Sequence, residues 1–312
     1  MNTSGQRIQD RHEFVLVFCA FVLACAQRPD IGGQVADATP AASSAAASPS
    51  APSSRRAPGE NPFGLPAVST SAKAGDFALV PLRGSLSQAF EQPVGSQSLL
   101  YAGAYLERVG ERESAVVWLT QQHGNVPNSL IIPLPRSERV ARGDIVLKSS
   151  TNGSGLERAI VVSEGESESP RVRALDLPFE GATAAVEGED TLPKGTFRAL
   201  REPGELGTTL ACRRGDKIER FLLVASDGER RLGLGFAGRA LLFPASSCRA
   251  LPLVPKAQSG VRIFVPVAGE FVAAKVTRTD ALHGRVTVEY EFAAESKEMA
   301  VGYGNVATEL PP

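Results

Sequence analysis

The stretch Gly260–Phe292, GVRIFVPVAGEFVAAKVTRTDALHGRVTVEYEF, decides how the rest of the chain is read. It contains three apolar runs, GVRIFVPV, GEFVAAKVTRT and GRVTVEYEF, rich in β-branched residues and separated by a short turn and a Gly-containing turn. Alternation of this kind, broken at short intervals by turn residues, predicts antiparallel strands. Working outward, the same signature recurs in FALVPL (Phe77–Leu82), AVVWLT (Ala115–Thr120), DIVLK (Asp144–Lys148), AIVVS (Ala159–Ser163) and RFLLVAS (Arg220–Ser226). No stretch of about twelve residues or more holds a 3.6-residue period. The closest, Ser85–Leu106, is interrupted by Pro93 and Gly95. The 30 Gly and 22 Pro favour a turn-rich chain, and the fold is expected to be mostly β.

The strand order also repeats. Near Gly143 the chain reads GDIVLK, LERAIVVSEG and PRVRAL, and near Gly207 it reads GTTLACRRGDKIERFLLVASDGERRLGLGF, the same succession of strand, turn, strand, turn, strand. From Gly75 the match is looser: GDFALVPL, a longer insertion, LLYAGAYLERVGERESAVVWLT and then HGNVPNSLIIPLP, an ending that echoes YGNVATELPP at Tyr303–Pro312. The expected units are 73–140, 141–200, 201–256 and 257–312.

In the last unit, Val265, Val267, Gly269, Phe271, Ala274, Val276, Gly284, Val286, Val288 and Tyr290 form a pattern that resembles the Tudor and Agenet modules of the SH3-like class. The resemblance implies tandem small SH3-like β-barrels whose thin cores must stack or be stapled. It also directs attention to aromatic surfaces, because Tudor-like modules that bind methylated cations use an aromatic cage. Tyr290 and Phe292 are in phase with Val286 and Val288 and are expected in the core. Phe264 is out of phase with Ile263, Val265 and Val267, and Trp118 alternates against Val117 and Leu119. Trp118 with Tyr105, and Phe264 with Phe271, are therefore the candidate ligand surfaces, and packing against a neighbouring unit is the use favoured over ligand binding. A histone-type ligand is not expected, since it belongs to another compartment.

The N-terminus reads as an address. Arg7, Arg11 and His12 precede an apolar run of eleven residues, Phe14–Ala24, the length of a signal-peptide core and too short to span a bilayer as a helix. The run ends in Val22-Leu23-Ala24-Cys25, which resembles the bacterial lipobox. That resemblance implies a signal peptide over 1–24 and a lipid-modified Cys25; an ordinary cleaved signal or a misassigned start are the alternatives. Ala26, where Asp would signal retention at the inner membrane, favours the outer membrane of a bacterial envelope. From Ala36 to Pro58, 19 of 23 residues are Ala, Ser or Pro, so no core pattern forms. A disordered tether is expected over 25–72, with a reach of roughly 40 Å as a flexible coil.

Export sets the reading of the cysteines. With Cys19 in the signal and Cys25 lipidated, Cys212 and Cys248 are left in an oxidising compartment. A disulfide between them is expected, with two buried free thiols as the alternative; with no histidine or third cysteine near, zinc is not expected. His123 and His283 each precede a glycine in a turn, and no G-x-S-x-G is present. Gly233, Gly235 and Gly238 have dinucleotide-fingerprint spacing, but the residues that follow read as a strand ending at Pro244 and no acidic residue stands near Gln258. The clusters Glu164/Glu166/Glu168 and Glu187/Glu189/Asp190 lack EF-hand order and read as solvated loops. One Trp and four Tyr are few for a sugar cleft. A formal charge of −1 lacks the basic excess that nucleic acid requires. No cofactor or metal is expected. The function expected is a membrane-anchored envelope lipoprotein that binds a protein or cell-wall partner without catalysis; alternatives are an assembly factor with no small ligand and an envelope enzyme acting on peptidoglycan or glycan through unassigned carboxylates.

Overall fold

In the computed structural model, residues 57–150, 155–176 and 188–312 are described, and they are mostly β. The expected signal, the expected lipid site at Cys25 and the part of the expected tether up to residue 56 lie outside the described residues.

The strands form three antiparallel sheets of five, five and nine strands, and the nine-stranded sheet runs through the same strand order twice, so the chain can be followed as four modules. The first has strands β1 (Phe77–Pro81), β2 (Tyr101–Val109), β3 (Glu113–Trp118), β4 (His123–Pro127) and β5 (Ile132–Pro133), with helix α1 (Arg83–Glu91) between β1 and β2. The second has β6 (Ile145–Ser149), β7 (Leu156–Val161), β8 (Arg171–Ala174), β9 (Asp190–Thr191) and β10 (Phe197–Leu200). The third has β11 (Thr209–Arg214), β12 (Lys217–Ser226), β13 (Arg230–Leu234), β14 (Ala240–Pro244) and β15 (Cys248–Ala250). The fourth has β16 (Arg262–Val267), β17 (Glu270–Asp280), β18 (Arg285–Phe292) and β19 (Glu295–Gly302), and Ala307 bridges back to Phe264 in place of a fifth strand. In each module the last strand lies beside the first, giving the spatial order fifth, first, second, third, fourth. Helix α1 stops before Pro93 and is too short to leave a helical period in the sequence.

A shared turn explains why the modules start alike. Gly75, Gly143, Gly207 and Gly260 have φ of +84°, +90°, +94° and +87°, the left-handed region that suits the third position of a type II turn. Each turn is closed by a backbone bond: Asp76 N to Lys73 O, Asp144 N to Ala141 O, Thr208 N to Glu205 O, and Val261 N to Gln258 O. Each glycine N–H also donates to the second strand of its module, at Leu106, Val161, Leu223 and Val276, over 2.7–2.9 Å. A second turn ends each module. The backbone bonds Ile131 N to Asn128 O, Thr196 N to Pro193 O, Cys248 N to Ala245 O and Asn305 N to Gly302 O reverse the chain just before the fifth strand or its equivalent. The Gly-Asn-Val echo noted in the sequence does not mark equivalent places: Gly124–Val126 lie in β4, whereas Gly304–Val306 follow β19.

The modules share their joints, and Ser54–Pro312 form one compact unit. Residues 97–99 extend the third module's sheet, with Leu99 N donating to Gly238 O and Ala240 N to Gln97 O. The β16–β17 turn offers Gly269 O to Arg220 N at 2.7 Å. Phe271 is buried with Ala211, Leu251 and Ala307, and Phe264, Ile218 and Leu310 pack against them. The end of the segment expected as tether is part of this body: Phe63, Leu65 and Ala72 are buried in the main core. Burying a Phe or Leu contributes about 1.5–3 kcal/mol, so these residues belong to the folded body and the tether expected over 25–72 does not reach residue 72.

The expected disulfide is present. Cys212 and Cys248 are directly opposed on β11 and β15 and are bonded. The glycines of the fingerprint-like spacing serve packing: a side chain on Gly233 or Gly235 would meet the Phe221 ring, and one on Gly238 the Leu99 carbonyl.

Candidate functional site

Three features stand apart from ordinary core and loop. The first is a buried polar cluster where modules two, three and four meet. The Arg158 side chain has no solvent exposure. Its Nε donates to Asp176 Oδ2 at 3.1 Å, and its Nη2 to Asp176 Oδ1 at 2.5 Å and Asn305 Oδ1 at 2.8 Å. Arg220 donates to the same two acceptors at 2.8 Å and 2.7 Å. Burial alone would push the Asp176 carboxyl up, but the charges of Arg158 and Arg220 and the bonds from Arg158 more than reverse this and hold it well below the usual carboxylate range. Arg285, pulled down by burial to about 10, donates to the Ala174 and Leu175 carbonyls. Every bond here joins elements of the fold, so the cluster locks modules together.

The second feature is a cleft of about 480 Å³ where modules one, three and four converge. Ser96 and Ser98 come from module one; Lys217, Glu219, Phe236 and Arg239 from module three; Ala268 and Glu270 from the β16–β17 turn. Phe236 is 62% exposed. It sits in the turn between β13 and β14 beside Ala237, whose φ is +54°, and Ala268 across the cleft has φ +49°. For residues other than glycine such conformations cost about 1–2 kcal/mol each, and they persist where the surroundings demand them. The charges are internally matched: Lys217 faces Glu270 at 2.5 Å, and Glu219 pairs with Arg239 and, at 3.2 Å, with Arg214.

The third is the outer sheet face of module four, a concavity of about 670 Å³ bounded by Arg262, Ala273, Lys275, Glu289, Glu291 and Ser296. Arg262 opposes Lys275, Lys275 opposes Glu289, and Glu289 opposes Glu298, so the four lie in a row across β16 to β19.

The aromatic candidates are distributed differently from the expectation. Trp118 is buried, 2% exposed, whereas Tyr105 is 47% exposed. Their strands register Ala104 to Trp118 and Tyr105 to Val117, which puts the two rings on opposite faces. The expected pairing therefore fails. AVVWLT is apolar on both faces, and Trp118 fills the interior where Gly124 leaves room: a Cβ there would lie 3.0 Å from the ring. Tyr105 instead makes an edge contact with Phe77, centroids 5.0 Å apart. Phe264 and Phe271 do come together, but against module three. Tyr290 is in the core as expected, whereas Phe292, at the end of its strand, is 46% exposed beneath the Lys297 ammonium.

His123 lies at the surface 3.0 Å from Glu107, and His283 is 2.7 Å from Asp280. In the acidic stretches Glu164 pairs with Arg142, Glu168 with Lys194, Glu189 with Arg171 and Arg173, and Asp190 with Lys148. Among the described residues no group of three or more His, Cys, Asp and Glu side chains is placed to hold a metal, and no helix is long and apolar enough to cross a membrane. Sequence reasoning passed over Phe236, Lys217, Arg239 and the charged row; Phe236 stands inside the fingerprint-spaced stretch Gly233–Gly238, which signals through its glycines alone, the others stand in strands or turns with no motif, and only strand register and module contacts assemble them. No family model and no curated protein matches the chain.

Proposed function

We propose that the protein is a bacterial envelope lipoprotein, anchored through acyl chains on Cys25, that acts as a non-enzymatic binding or scaffold module for a protein or cell-wall partner. The observation that carries the binding part is the three-module cleft, in which a largely exposed Phe236 stands on a left-handed turn among serine hydroxyls and paired charges. A concave site with an exposed aromatic and a few convergent polar groups suits recognition. Its carboxylates, Glu219 and Glu270, are each held by cations, which favours positioning a ligand over proton transfer. The anchor rests on the lipobox-like Val22–Cys25, whose acyl chains would contribute about 0.8 kcal/mol per buried CH₂.

A photo-crosslinking residue at Phe236 in the full chain, exposed to the intact envelope, is expected to capture a protein or cell-wall fragment. Lys217→Glu with Glu270→Lys should keep the ion pair but lower the yield severalfold by reversing its direction. Cys25→Ser should move the protein out of the membrane fraction. A capture yield unchanged by the swap would remove the cleft from the reading, and unchanged fractionation would remove the anchor.

A further inference from the structure

The row on the outer face of module four has a charge order that the fold does not explain. Directly opposed residues of antiparallel strands project to the same side, so β16 to β19 present Arg262, Lys275, Glu289 and Glu298 as plus, plus, minus, minus. Glu291 reinforces the acidic half and hydrogen-bonded Ser296 stands at its edge, 2.6 Å from Glu289. Like charges placed side by side work against the sheet. Unlike the cleft, where each acid has a cation, Arg262, Lys275, Glu289, Glu291 and Glu298 enter no ion pair among the described residues, although Lys275 and Glu289 are register partners. All five are exposed. Ala273, two residues from Lys275 on β17, and Gly260 add small residues to the lining of the concavity.

We propose that this face binds a short extended peptide that carries an anionic and a cationic group about three residues apart. Neighbouring strands lie roughly 4.8 Å apart, so the centre of the Arg262/Lys275 pair and that of the Glu289/Glu298 pair are about 10 Å from each other. An extended chain of the polyproline II kind has three residues per turn and advances about 3.1 Å per residue, so acid and base at positions i and i+3 lie on the same side of the peptide, about 9 Å apart, and match that separation. The peptide lies across the strands, its carboxylate over Arg262 and Lys275 and its ammonium over Glu289, Glu291 and Glu298. The mixture of signs disfavours a uniform polyanion such as nucleic acid or an anionic bilayer. Two copies of a concave face set against each other would leave a void between them, which disfavours a self-dimer. This site shares no residue with the cleft, so either can fail without the other.

The test uses the full chain and fluorescently labelled acetyl-Asp-Ala-Ala-Lys-amide, followed by anisotropy at low salt, with acetyl-Asn-Ala-Ala-Gln-amide as the neutral control. The charged peptide is expected to bind with an affinity that falls as salt rises, and the neutral peptide not to bind. R262E/K275E and E289K/E298K should each weaken binding about tenfold or more. Combining all four substitutions restores the dipole in the opposite sense and should recover binding with the peptide reversed. F236A in the cleft should leave it unchanged. Thermal melts of each variant establish that the fold is kept. Equal binding by wild type and charge variants, or no binding up to millimolar peptide, would overturn the proposal. So would salt-sensitive self-association of the wild type that the same variants abolish, since that would assign the face to a second copy.

Discussion

At the residue scale, four of the five non-glycine residues with positive φ among the described residues are alanines, the fifth being Gln121. β18 and β19 are joined by Ala293 and Ala294, with φ +53° and +64°, a two-residue turn of the I′ kind that normally takes Asn-Gly. Alanine pays a steric penalty there that Asn and Gly largely avoid. Ala293→Asn with Ala294→Gly is therefore expected to stabilise the protein by about 1 kcal/mol, read as a higher denaturant midpoint with unchanged slope; a lower midpoint would show that the turn is set by other contacts. This conformation was not legible in the sequence, because Ala-Ala carries no turn signal. Trp118 escaped for a related reason: AVVWLT offers apolar side chains to both faces, and the space beside Gly124 chose the face.

At the scale of elements, the strands and their order were legible, because apolar alternation and Gly-containing turns are local signals. The third module adds a covalent element, the bond between β11 and β15 at Cys212 and Cys248, 36 positions apart. Closing a loop of this length restricts the unfolded chain and is worth about 4 kcal/mol in the chain-entropy model. Cys212→Ala with Cys248→Ala should lower the unfolding free energy by roughly 2–4 kcal/mol, and reductant should destabilise the wild type but leave the double variant unchanged. An equal response of both proteins to reductant would refute a structural role. By contrast, the charged row of β16 to β19 was hidden: Arg262, Lys275, Glu289 and Glu298 are ordinary polar positions until the register aligns them.

At the scale of the whole molecule, the Asp176 cluster ties three modules. Asp176→Asn would leave Arg158 buried without its counter-charge, and breaking such a pair costs about 3–5 kcal/mol. The pH dependence has a definite sign. The folded-state pKa of Asp176 lies below its unfolded value, so its contribution is complete above the ordinary carboxylate range and is lost as pH falls through that range toward the folded value. Wild-type stability should therefore decline below about pH 4, and Asp176→Asn should flatten that part of the profile. An identical acid limb in both proteins would show that other carboxylates dominate it.

The sequence by itself determined the β-rich class, the repeating strand order and the pair of cysteines available to each other, since each rests on local alternation, turn-forming glycines or residue chemistry. Only the tertiary structure decided that Phe63 and Leu65 belong to the core, that Trp118 turns inward, and that the modules share a cleft, a buried charge cluster and a dipolar sheet face. Those outcomes depend on which surfaces meet across large sequence separations, and a thin-cored module completes its burial only against its neighbours.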